Sequence, residues 1–257
     1  MIRIKSYYTY WKHRVDAHGI HSPFVFDFYN SVLTESDKIY DTPIRRVYHQ
    51  LRRDHRKMQI TDFGAGAKHE KSNLRKVSSI AHNASVSRRY GKLMTRLAER
   101  YNLTYAVELG TSVGLGSMYI AQAGCIKKLI TIEGDPNLHA IASENFRMLN
   151  LQKIEQRCGK FEYHLDDVVR QMPQIDLVYV DGNHTYDATM NYFNFFLNHV
   201  HDSSFMIFDD IRWSDDMEKA WNEICASPKI NVSIDILRMG IVCKRPGQAK
   251  QHFVLKY

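Results

Sequence analysis

Residues 105–116 read Tyr-Ala-Val-Glu-Leu-Gly-Thr-Ser-Val-Gly-Leu-Gly, and residues 128–137 read Lys-Leu-Ile-Thr-Ile-Glu-Gly-Asp-Pro-Asn. Each stretch begins with a short apolar run, which is typical of a strand buried on both faces. The glycines after the first run let a ligand approach the backbone, and the helix that follows favours a carboxylate or phosphate at its N-terminus. In sheets of this kind ligands bind beyond the carboxyl ends of the strands, so we expect the site there.

The alternation of apolar runs with helix-length segments continues along the chain. The runs occupy 105–109, 128–133, 175–181 and 204–210, and the segments between or after them occupy 115–124, 136–149, 161–171 and 186–199. This pattern indicates an α/β fold, with a parallel sheet covered by helices on both faces. Residues 232–244 read as two strands joined by a tight turn around Met239-Gly240, and such a hairpin adds an antiparallel strand.

The first hundred residues read as helical. Ser22-Pro23 and Thr42-Pro43 each place a capping residue before a proline at the first helical position. Apolar residues at helical spacing follow over 44–51. We predict a helical N-terminal region over 1–85, which would serve as a cap, a lid or a dimer contact, and a ligand-binding domain over 86–257.

The charge of the chain is unevenly distributed. Its 257 residues hold 35 Lys+Arg against 28 Asp+Glu, a net charge of +7, and residues 1–100 alone carry an excess of 11 positive charges. A basic front half would suit nucleic acid, a phosphorylated substrate or an acidic partner surface. We favour the alternative that it reflects solvated helix faces, since charge runs usually indicate exposure. We find no membrane-length apolar stretch and no secretory signal. The four widely spaced cysteines fit neither a metal pair nor a disulfide framework, so we expect a cytoplasmic protein.

Two glycine-containing stretches require separate interpretations. Asp62-Phe-Gly64-Ala-Gly66 follows a weak strand and leads into polar residues, so we interpret it as a structural turn. The loop that begins at Gly110 lacks the GxGxxG spacing, which counts against a dinucleotide site. Glu133 ends the next strand, 23 residues after Gly110. A carboxylate at that place can bind both hydroxyls of a ribose.

The stretches 105–116 and 128–137 together resemble the first two motifs of class I S-adenosylmethionine-dependent methyltransferases. The resemblance extends over roughly residues 88–245. It implies a Rossmann-like fold with a mostly parallel seven-stranded sheet, an antiparallel C-terminal strand, and S-adenosyl-L-methionine as the cofactor. The implied cofactor-binding residues are Glu108, Gly110, Thr111, Ser112, Gly114, Glu133, Gly159, Phe161, Glu162 and Asp181.

The resemblance also assigns parts of the cofactor to parts of this set. Residues 110–114 would line the methionine portion, with Glu108 beneath the loop. Glu133 would bind the ribose hydroxyls. Gly159, Phe161 and Glu162 would lie beside the adenine.

Carboxylates gather at two further strand ends, in Asp181-Gly-Asn-His184 and in Asp209-Asp210. Three carboxylates at neighbouring strand ends repel one another and are costly without a cation. Oxygen ligands with open positions suit Mg²⁺, with Mn²⁺ or Ca²⁺ as alternatives. The competing interpretation is that each aspartate caps the helix that follows it.

Here the sequence resembles the metal-dependent O-methyltransferases. Catechol and caffeoyl-CoA methyltransferases have Asp at the positions of Asp181 and Asp209, Asn at that of Asp210 and Lys at that of His184. Bacterial macrolide-sugar O-methyltransferases share the DGxH element. The resemblance implies metal-assisted O-methylation of a hydroxyl on a small or medium-sized acceptor.

In that interpretation Asp181, Asp209 and Asp210 hold the divalent cation, Mg²⁺ being favoured, and the cation acidifies the acceptor hydroxyl. Asp181 and His184 are the predicted catalytic residues, with His184 accepting the proton. The alternative is that the cation makes the acceptor hydroxyl so acidic that no dedicated base is needed. Arg212 and Trp213 could border the acceptor.

The sequence leaves two alternatives to metal-assisted O-methylation. A nucleic-acid methyltransferase would use the basic front half, but base methylation usually employs a polar-Pro-Pro-aromatic element where this chain has Asp181-Gly-Asn-His184. A non-catalytic module would keep the cofactor fold without needing Glu133 and the aspartates. A homodimer is compatible with the aromatic N-terminal stretch, and no membrane partner is expected.

Overall fold

The computed structural model describes residues 4–34, 39–61 and 73–257. Within these residues the α-helices are α1 (Ile4–His13), α2 (Pro23–Phe28), α3 (Thr42–Arg53), α4 (Val77–Asn83), α5 (Arg88–Tyr101), α6 (Leu115–Gln122), α7 (Pro136–Met148), α8 (Leu165–Gln171), α9 (Tyr186–Leu197) and α10 (Asp215–Ala226). The strands are β1 (Lys57–Gln59), β2 (Leu74–Lys76), β3 (Tyr105–Leu109), β4 (Lys128–Glu133), β5 (Ile154–Cys158), β6 (Leu177–Val180), β7 (Phe205–Phe208), β8 (Val232–Ile236), β9 (Met239–Cys243) and β10 (Gln251–Val254).

Short segments of 3₁₀ helix occupy Ala17–Gly19 and Phe161–Tyr163, and a π-helical turn occupies Tyr29–Leu33. The turn predicted at Asp62–Gly66 lies outside the described residues. Among the described helices, none combines the length and the apolar character that a membrane span requires.

The chain divides into two compact units, and each is described by itself. The split unit comprises Met1–Asp37 and Gln174–Tyr257, and the central unit comprises Lys38–Pro173. The domain boundary that the sequence predicts at residue 85 stays a prediction.

The central unit contains three parallel strands in the order β3-β4-β5. Most residues of β3 and all but the first of β4 are buried, as expected for strands covered on both faces. A separate antiparallel pair is formed by β1 and β2. The predicted strands at 105–109 and 128–133 are therefore confirmed, and β5 and the β1–β2 pair are additional to the sequence prediction.

The split unit contains five strands in the order β10-β8-β9-β7-β6. β6 and β7 are parallel, β9 is antiparallel to both β7 and β8, and β10 is parallel to β8. The predicted α/β fold with mostly parallel strands and an antiparallel hairpin strand is confirmed. Apart from the β1–β2 pair, the described residues form eight strands, β3 to β10. The resemblance implied seven, and β10 is the additional one.

The turn of the C-terminal hairpin lies at Leu237-Arg238, so the turn predicted at Met239-Gly240 is wrong. Leu237 adopts a positive φ of 75°, and its N–H donates to Asp235 Oδ1 at 2.9 Å. Gly240 is instead a residue of β9, where a Cβ would approach the Trp221 ring to 2.4 Å. The glycine is therefore required by close packing and not by the turn.

The two predicted helix starts differ in their caps. Ser22 caps α2 as predicted, because its Oγ accepts the Val25 N–H at 3.4 Å and Pro23 opens the helix. Helix α3 is preceded by Asp41 at the cap position, so Thr42 is not the cap. The Asp41 carboxylate makes no capping bond to α3, since it accepts from Arg88 and Tyr119.

Helix packing in the central unit requires a glycine in α5. A Cβ at Gly91 would lie 2.2 Å from the ring of Tyr119 in α6. The ring cannot easily retreat, because its hydroxyl donates to Asp41 Oδ2 at 3.1 Å and the Tyr119 carbonyl accepts from Thr95 at 2.7 Å. This close approach brings α5 against α6, the helix that follows the glycine loop.

We predict that Gly91→Ala destabilises the chain despite the better helix propensity of alanine. Overpacking against Tyr119 outweighs the roughly 1 kcal/mol gained from propensity, so the free energy of unfolding should fall by about 1–2 kcal/mol in urea titrations. Gly124→Ala is the matched control, because no atom lies within 4 Å of its added Cβ. A Gly91→Ala variant as stable as this control would contradict the packing argument.

Candidate active site

The glycine loop follows β3 and is held against the end of β4. Gly110, Ser112 and Gly114 all have positive φ, at 101°, 50° and 89°. The Gly110 N–H donates to the Ile132 carbonyl at 3.0 Å, so the loop begins on the neighbouring strand. Gly114 is required for a second reason, because a Cβ there would lie 2.6 Å from the ring of Phe146. The loop is therefore a tightly packed turn directly before α6.

Glu108 lies beneath this loop in a buried hydroxyl network. Its Oε2 accepts from Ser117 Oγ and from Thr131 Oγ1, the second bond measuring 2.6 Å. Thr131 in turn lies 2.6 Å from Thr111 of the loop. Burial raises the pKa of Glu108 to about 7, although the two hydroxyl bonds oppose the shift. Glu108 thus acts through the hydroxyls that support Thr111.

Glu133 joins the end of β4 to the loop. Its Oε2 accepts the Ser112 N–H at 2.7 Å, and its Oε1 accepts the Asp135 N–H at 2.9 Å. Burial raises the pKa of Glu133, and these two backbone bonds oppose the rise. Each carboxylate oxygen has two lone pairs, so the carboxylate can still accept a further hydrogen bond. Glu133, the predicted ribose-binding residue, is therefore in direct contact with the loop that is predicted to bind the methionine portion.

The predicted adenine residues follow β5. The Gly159 N–H donates to the Glu133 carbonyl at 2.9 Å, so this glycine lies beside the same strand end. Its φ is 133°, and a Cβ would lie 3.0 Å from His164 Nε2. Phe161 is half-buried and Glu162 is exposed in the 3₁₀ segment that follows. Their contact with adenine stays a prediction.

In the split unit, the predicted aspartates meet an arginine that the sequence analysis did not single out. Arg238 donates from Nε to Asp209 Oδ1 at 2.8 Å and from Nη2 to Asp209 Oδ2 at 2.7 Å. Its Nε also lies 3.3 Å from Asp210 Oδ1. Asp209 is fully buried, so this two-point ion pair is shielded from solvent.

Tyr179 connects the two strand ends of this cluster. Its hydroxyl lies 2.9 Å from Asp181 Oδ2 and 3.1 Å from Asp209 Oδ2. One hydroxyl proton can serve only one of these carboxylates at a time. His184 Nε2 lies 3.6 Å from Asp181 Oδ1. The predicted catalytic pair is therefore close in space, with Tyr179 on its other side.

The ionisation of the three aspartates is unequal. Burial opposes the ionisation of Asp209, but the Arg238 guanidinium outweighs it and lowers the Asp209 pKa. Burial and the charge of Asp209 raise the pKa of Asp181 well above its ordinary value. The same two causes raise the pKa of Asp210. The cluster therefore concentrates its negative charge on Asp209, where the arginine binds.

A divalent cation does not fit the geometry of this cluster. Both oxygens of Asp209 are occupied by the Arg238 fork, and Asp209 Oδ1 also accepts the Asp210 N–H at 2.8 Å. In the parts of the chain that are described, no group of three or more His, Cys, Asp or Glu side chains has the arrangement of a metal site. The metal role of Asp181, Asp209 and Asp210 thus has no structural support, and a guanidinium provides the expected positive charge.

Two residues of this cluster were missed by sequence reasoning. Tyr179 precedes Asp181 by two positions, and this spacing along a strand places both side chains on one face. Arg238 gave no local signal, because it reaches Asp209 through the hairpin pairing. Phe208 pairs with Gly240, and the Ile211 N–H donates to the Arg238 carbonyl at 3.1 Å.

The expected role of Arg212 at the acceptor is not supported by its contacts. Its guanidinium pairs with the buried Asp235, and it lies 3.6 Å from Glu218 Oε1. Arg212 also lies over the ring of Tyr10, 6.0 Å from the centroid. Trp213 is half-buried, and its role at the acceptor stays a prediction.

Part of this chain is similar in sequence to known proteins. Residues 107–211 match the family model described as "Methyltransferase domain". An uncharacterised protein, R132 of Acanthamoeba polyphaga mimivirus, is 31% identical over 141 residues, which are 50% of this chain. The match spans 62% of that relative, which is less than two thirds of its length.

Solved structures share the fold. An O-methyltransferase from Bacillus cereus in complex with SAH aligns with a TM-score of 0.60 at 16% identity, over 82% of this chain and 95% of the other. The O-methyltransferase TomG from Streptomyces achromogenes, involved in tomaymycin synthesis and in complex with SAM, aligns with a TM-score of 0.57 at 15% identity, over 86% and 96%. The chain has the fold of class I methyltransferases.

The buried Glu108 predicts a pH-dependent stability. Its pKa is about 7 in the folded chain against an ordinary value of 4.5. The folded state therefore binds more protons than the unfolded state between these values, and its stability falls as the pH rises through them. We expect wild-type protein to lose about 2–3 kcal/mol more than Glu108→Gln between pH 5 and pH 8, measured by urea unfolding.

Glu155→Gln serves as the control for this measurement. The pKa of Glu155 is lowered, since its bonds to Lys128 and Arg157 outweigh burial, so its contribution is lost only below about pH 5. The difference between wild-type protein and Glu155→Gln should stay constant from pH 5 to pH 8. An equally constant difference for Glu108→Gln would show that Glu108 does not carry a raised pKa.

Proposed function

We propose that this chain is an S-adenosylmethionine-dependent O-methyltransferase that acts on a hydroxyl of a small or medium-sized acceptor. The observation that carries the proposal is the contact between Glu133 and the loop, in which the carboxylate accepts the Ser112 N–H at 2.7 Å. It sets a carboxylate with free lone pairs beside glycine-rich backbone at a strand end. That combination suits a ribose on one side and an amino-acid portion on the other.

The chemistry of the cofactor explains what the chain must supply. The sulfonium makes the methyl group electrophilic, and transfer requires an oxygen nucleophile aligned with the sulfur–methyl bond. The loop residues Gly110–Gly114 would bind the methionine portion, and Glu133 would bind the ribose hydroxyls. Gly159, Phe161 and Glu162 would contact the adenine. The chain would thus bind the cofactor through the loop after β3 and the residues at the ends of β4 and β5.

For the acceptor, we assign His184 as the general base. Its Nε2 lies 3.6 Å from Asp181 Oδ1, and its side chain is 22% exposed, so it is accessible to a hydroxyl. Imidazole takes up protons near neutral pH, and the Asp181 carboxylate would orient the ring. Two structural relatives are O-methyltransferases, and this similarity supports oxygen as the methylated atom.

Metal assistance, which the sequence resemblance implied, is not part of this proposal. No step is assigned to a cation, because Arg238 occupies both oxygens of Asp209. Nucleic-acid methylation is not proposed either, since the basic residues of the first hundred positions have no described contact that selects a nucleic acid over solvent.

The cofactor assignment predicts that Glu133→Ala weakens the binding of S-adenosylhomocysteine at least tenfold, or about 1.4 kcal/mol, in calorimetric titration. The variant loses both the ribose hydrogen bonds and the anchor of the Ser112 N–H. Glu155→Ala is the matched control on β5, because its carboxylate binds Lys128 and Arg157 instead. Equal affinities for Glu133→Ala and this control would overturn the assignment.

The base assignment predicts a separate kinetic effect. In a screen of hydroxylated acceptors with labelled S-adenosylmethionine, His184→Gln should lower kcat by about 100-fold or more, because general-base catalysis contributes on that scale. The affinity for S-adenosylhomocysteine should not change. His199→Gln is the control, an exposed histidine of the same unit whose Nδ1 lies 2.8 Å from the Phe195 carbonyl. An unchanged kcat in His184→Gln would remove the general base from the proposal.

A further inference from the structure

The acidic cluster of the split unit contains its own cation. The Arg238 guanidinium matches the Asp209 carboxylate atom for atom, with contacts of 2.8 Å and 2.7 Å. Paired parallel contacts of this kind are the strongest geometry that arginine forms with a carboxylate. The same guanidinium lies 3.3 Å from Asp210. One side chain therefore neutralises the strand end that the sequence assigned to a metal.

The backbone fixes this arginine in place. Arg238 belongs to the two-residue turn between β8 and β9, whose first residue, Leu237, is held by Asp235 at 2.9 Å. On the other side, the Ile211 N–H donates to the Arg238 carbonyl at 3.1 Å. Residue 211 directly follows Asp210, so the strand end and the turn are joined by main-chain contacts. The guanidinium is therefore placed by a hairpin turn that is hydrogen-bonded on both sides.

The burial of the cluster explains why a cation is needed at all. Asp209 is fully buried, and the side chain of Asp181 is only 15% exposed. Like charges so placed cannot all ionise without a compensating positive group. A divalent cation and an arginine are alternative sources of positive charge. Here they exclude each other because both lone pairs of each Asp209 oxygen already have a partner. Oδ1 accepts from Arg238 and the Asp210 N–H, and Oδ2 accepts from Arg238 and lies 3.1 Å from the Tyr179 hydroxyl.

We infer that Arg238 takes the place of the divalent cation in this cluster, so that the chain works without a metal. As a statement about catalysis, this inference rests on the proposed function. As a statement about the binding of metal ions, it stands on the contacts of Arg238 alone. Arg238 is a positioning residue in this account, because it acts by holding Asp209 and Asp210.

The test uses Mn²⁺ as a probe, followed by the loss of its free-ion signal in electron paramagnetic resonance. The full-length unaltered protein should bind Mn²⁺ no better than a variant in which Asp209 is replaced, Asp209→Asn. Arg238→Ala frees one acceptor position on each oxygen of Asp209. This variant should bind Mn²⁺ about tenfold more tightly than the unaltered chain, or better. Its melting temperature should also rise on addition of Mn²⁺, while that of the unaltered chain should not.

Arg212→Ala is the matched control, since it removes another guanidinium from a buried aspartate of the same unit, Asp235. It leaves the Asp209 pair intact, so it should gain no Mn²⁺ binding. Arg238→Lys keeps a positive charge without the fork and should bind Mn²⁺ less tightly than Arg238→Ala. If Arg238→Ala does not fold, the comparison of the unaltered chain with Asp209→Asn decides alone.

Tight Mn²⁺ binding by the unaltered chain that disappears in Asp209→Asn would overturn the inference. So would an Arg238→Ala variant that folds and binds Mn²⁺ no better than Arg212→Ala. Calorimetry with S-adenosylhomocysteine on the same preparations separates this inference from the proposed function. Absence of cofactor binding would contradict the proposed function, and the Mn²⁺ result would still decide the role of Arg238.

Discussion

The contact between the Glu133 carboxylate and the Ser112 N–H is the interaction on which the cofactor assignment depends. It exists because β3 and β4 are parallel neighbours whose carboxyl ends lie side by side. The left-handed residues of the loop, Gly110 and Ser112, turn the backbone so that an N–H points at the carboxylate. Glu108 supports the same loop from below through Thr131 and Thr111. Glu108, through the threonine hydroxyls, and Glu133, through the Ser112 N–H, thus both support the loop that follows β3.

In the split unit, buried carboxylates are stabilised by an arginine side chain rather than by hydroxyls and backbone N–H groups. Three aspartates lie near strand ends, and they are surrounded by a guanidinium, a phenol hydroxyl and an imidazole. Because Asp209 keeps its charge and the pKa values of Asp181 and Asp210 are raised, the negative charge stays where Arg238 can reach it. If Arg238 has the role that we infer, this polar cluster does not need a metal ion for its function.

The sequence predicted those features that depend on local pattern. The strands at 105–109 and 128–133 and the start of α2 follow from apolar runs and capping residues, and the structure has them where they were expected. The proximity of Ser112 and Glu133 follows from one general rule about the carboxyl ends of parallel strands. These inferences needed no knowledge of distant contacts.

Features set by tertiary pairing were not predictable in the same way. The cap of α3 is Asp41 rather than Thr42, and its carboxylate is engaged by Arg88 and Tyr119, which are far along the chain. Arg238 reaches Asp209 only because of the register of the hairpin, and the turn was expected two residues later. The aspartates led to the prediction of a divalent cation, and the arginine found beside Asp209 could not be predicted without that register.

The roles of Glu133 and Arg238 are tested most directly by a crystal structure of the unaltered protein grown with S-adenosylhomocysteine and Mn²⁺, with data collected at the manganese absorption edge. We expect S-adenosylhomocysteine with its ribose hydroxyls on Glu133, the Arg238 guanidinium paired with Asp209, and no anomalous peak at Asp181, Asp209 or Asp210. An anomalous peak at these aspartates with Arg238 displaced, or a ribose bound away from Glu133, would contradict these roles.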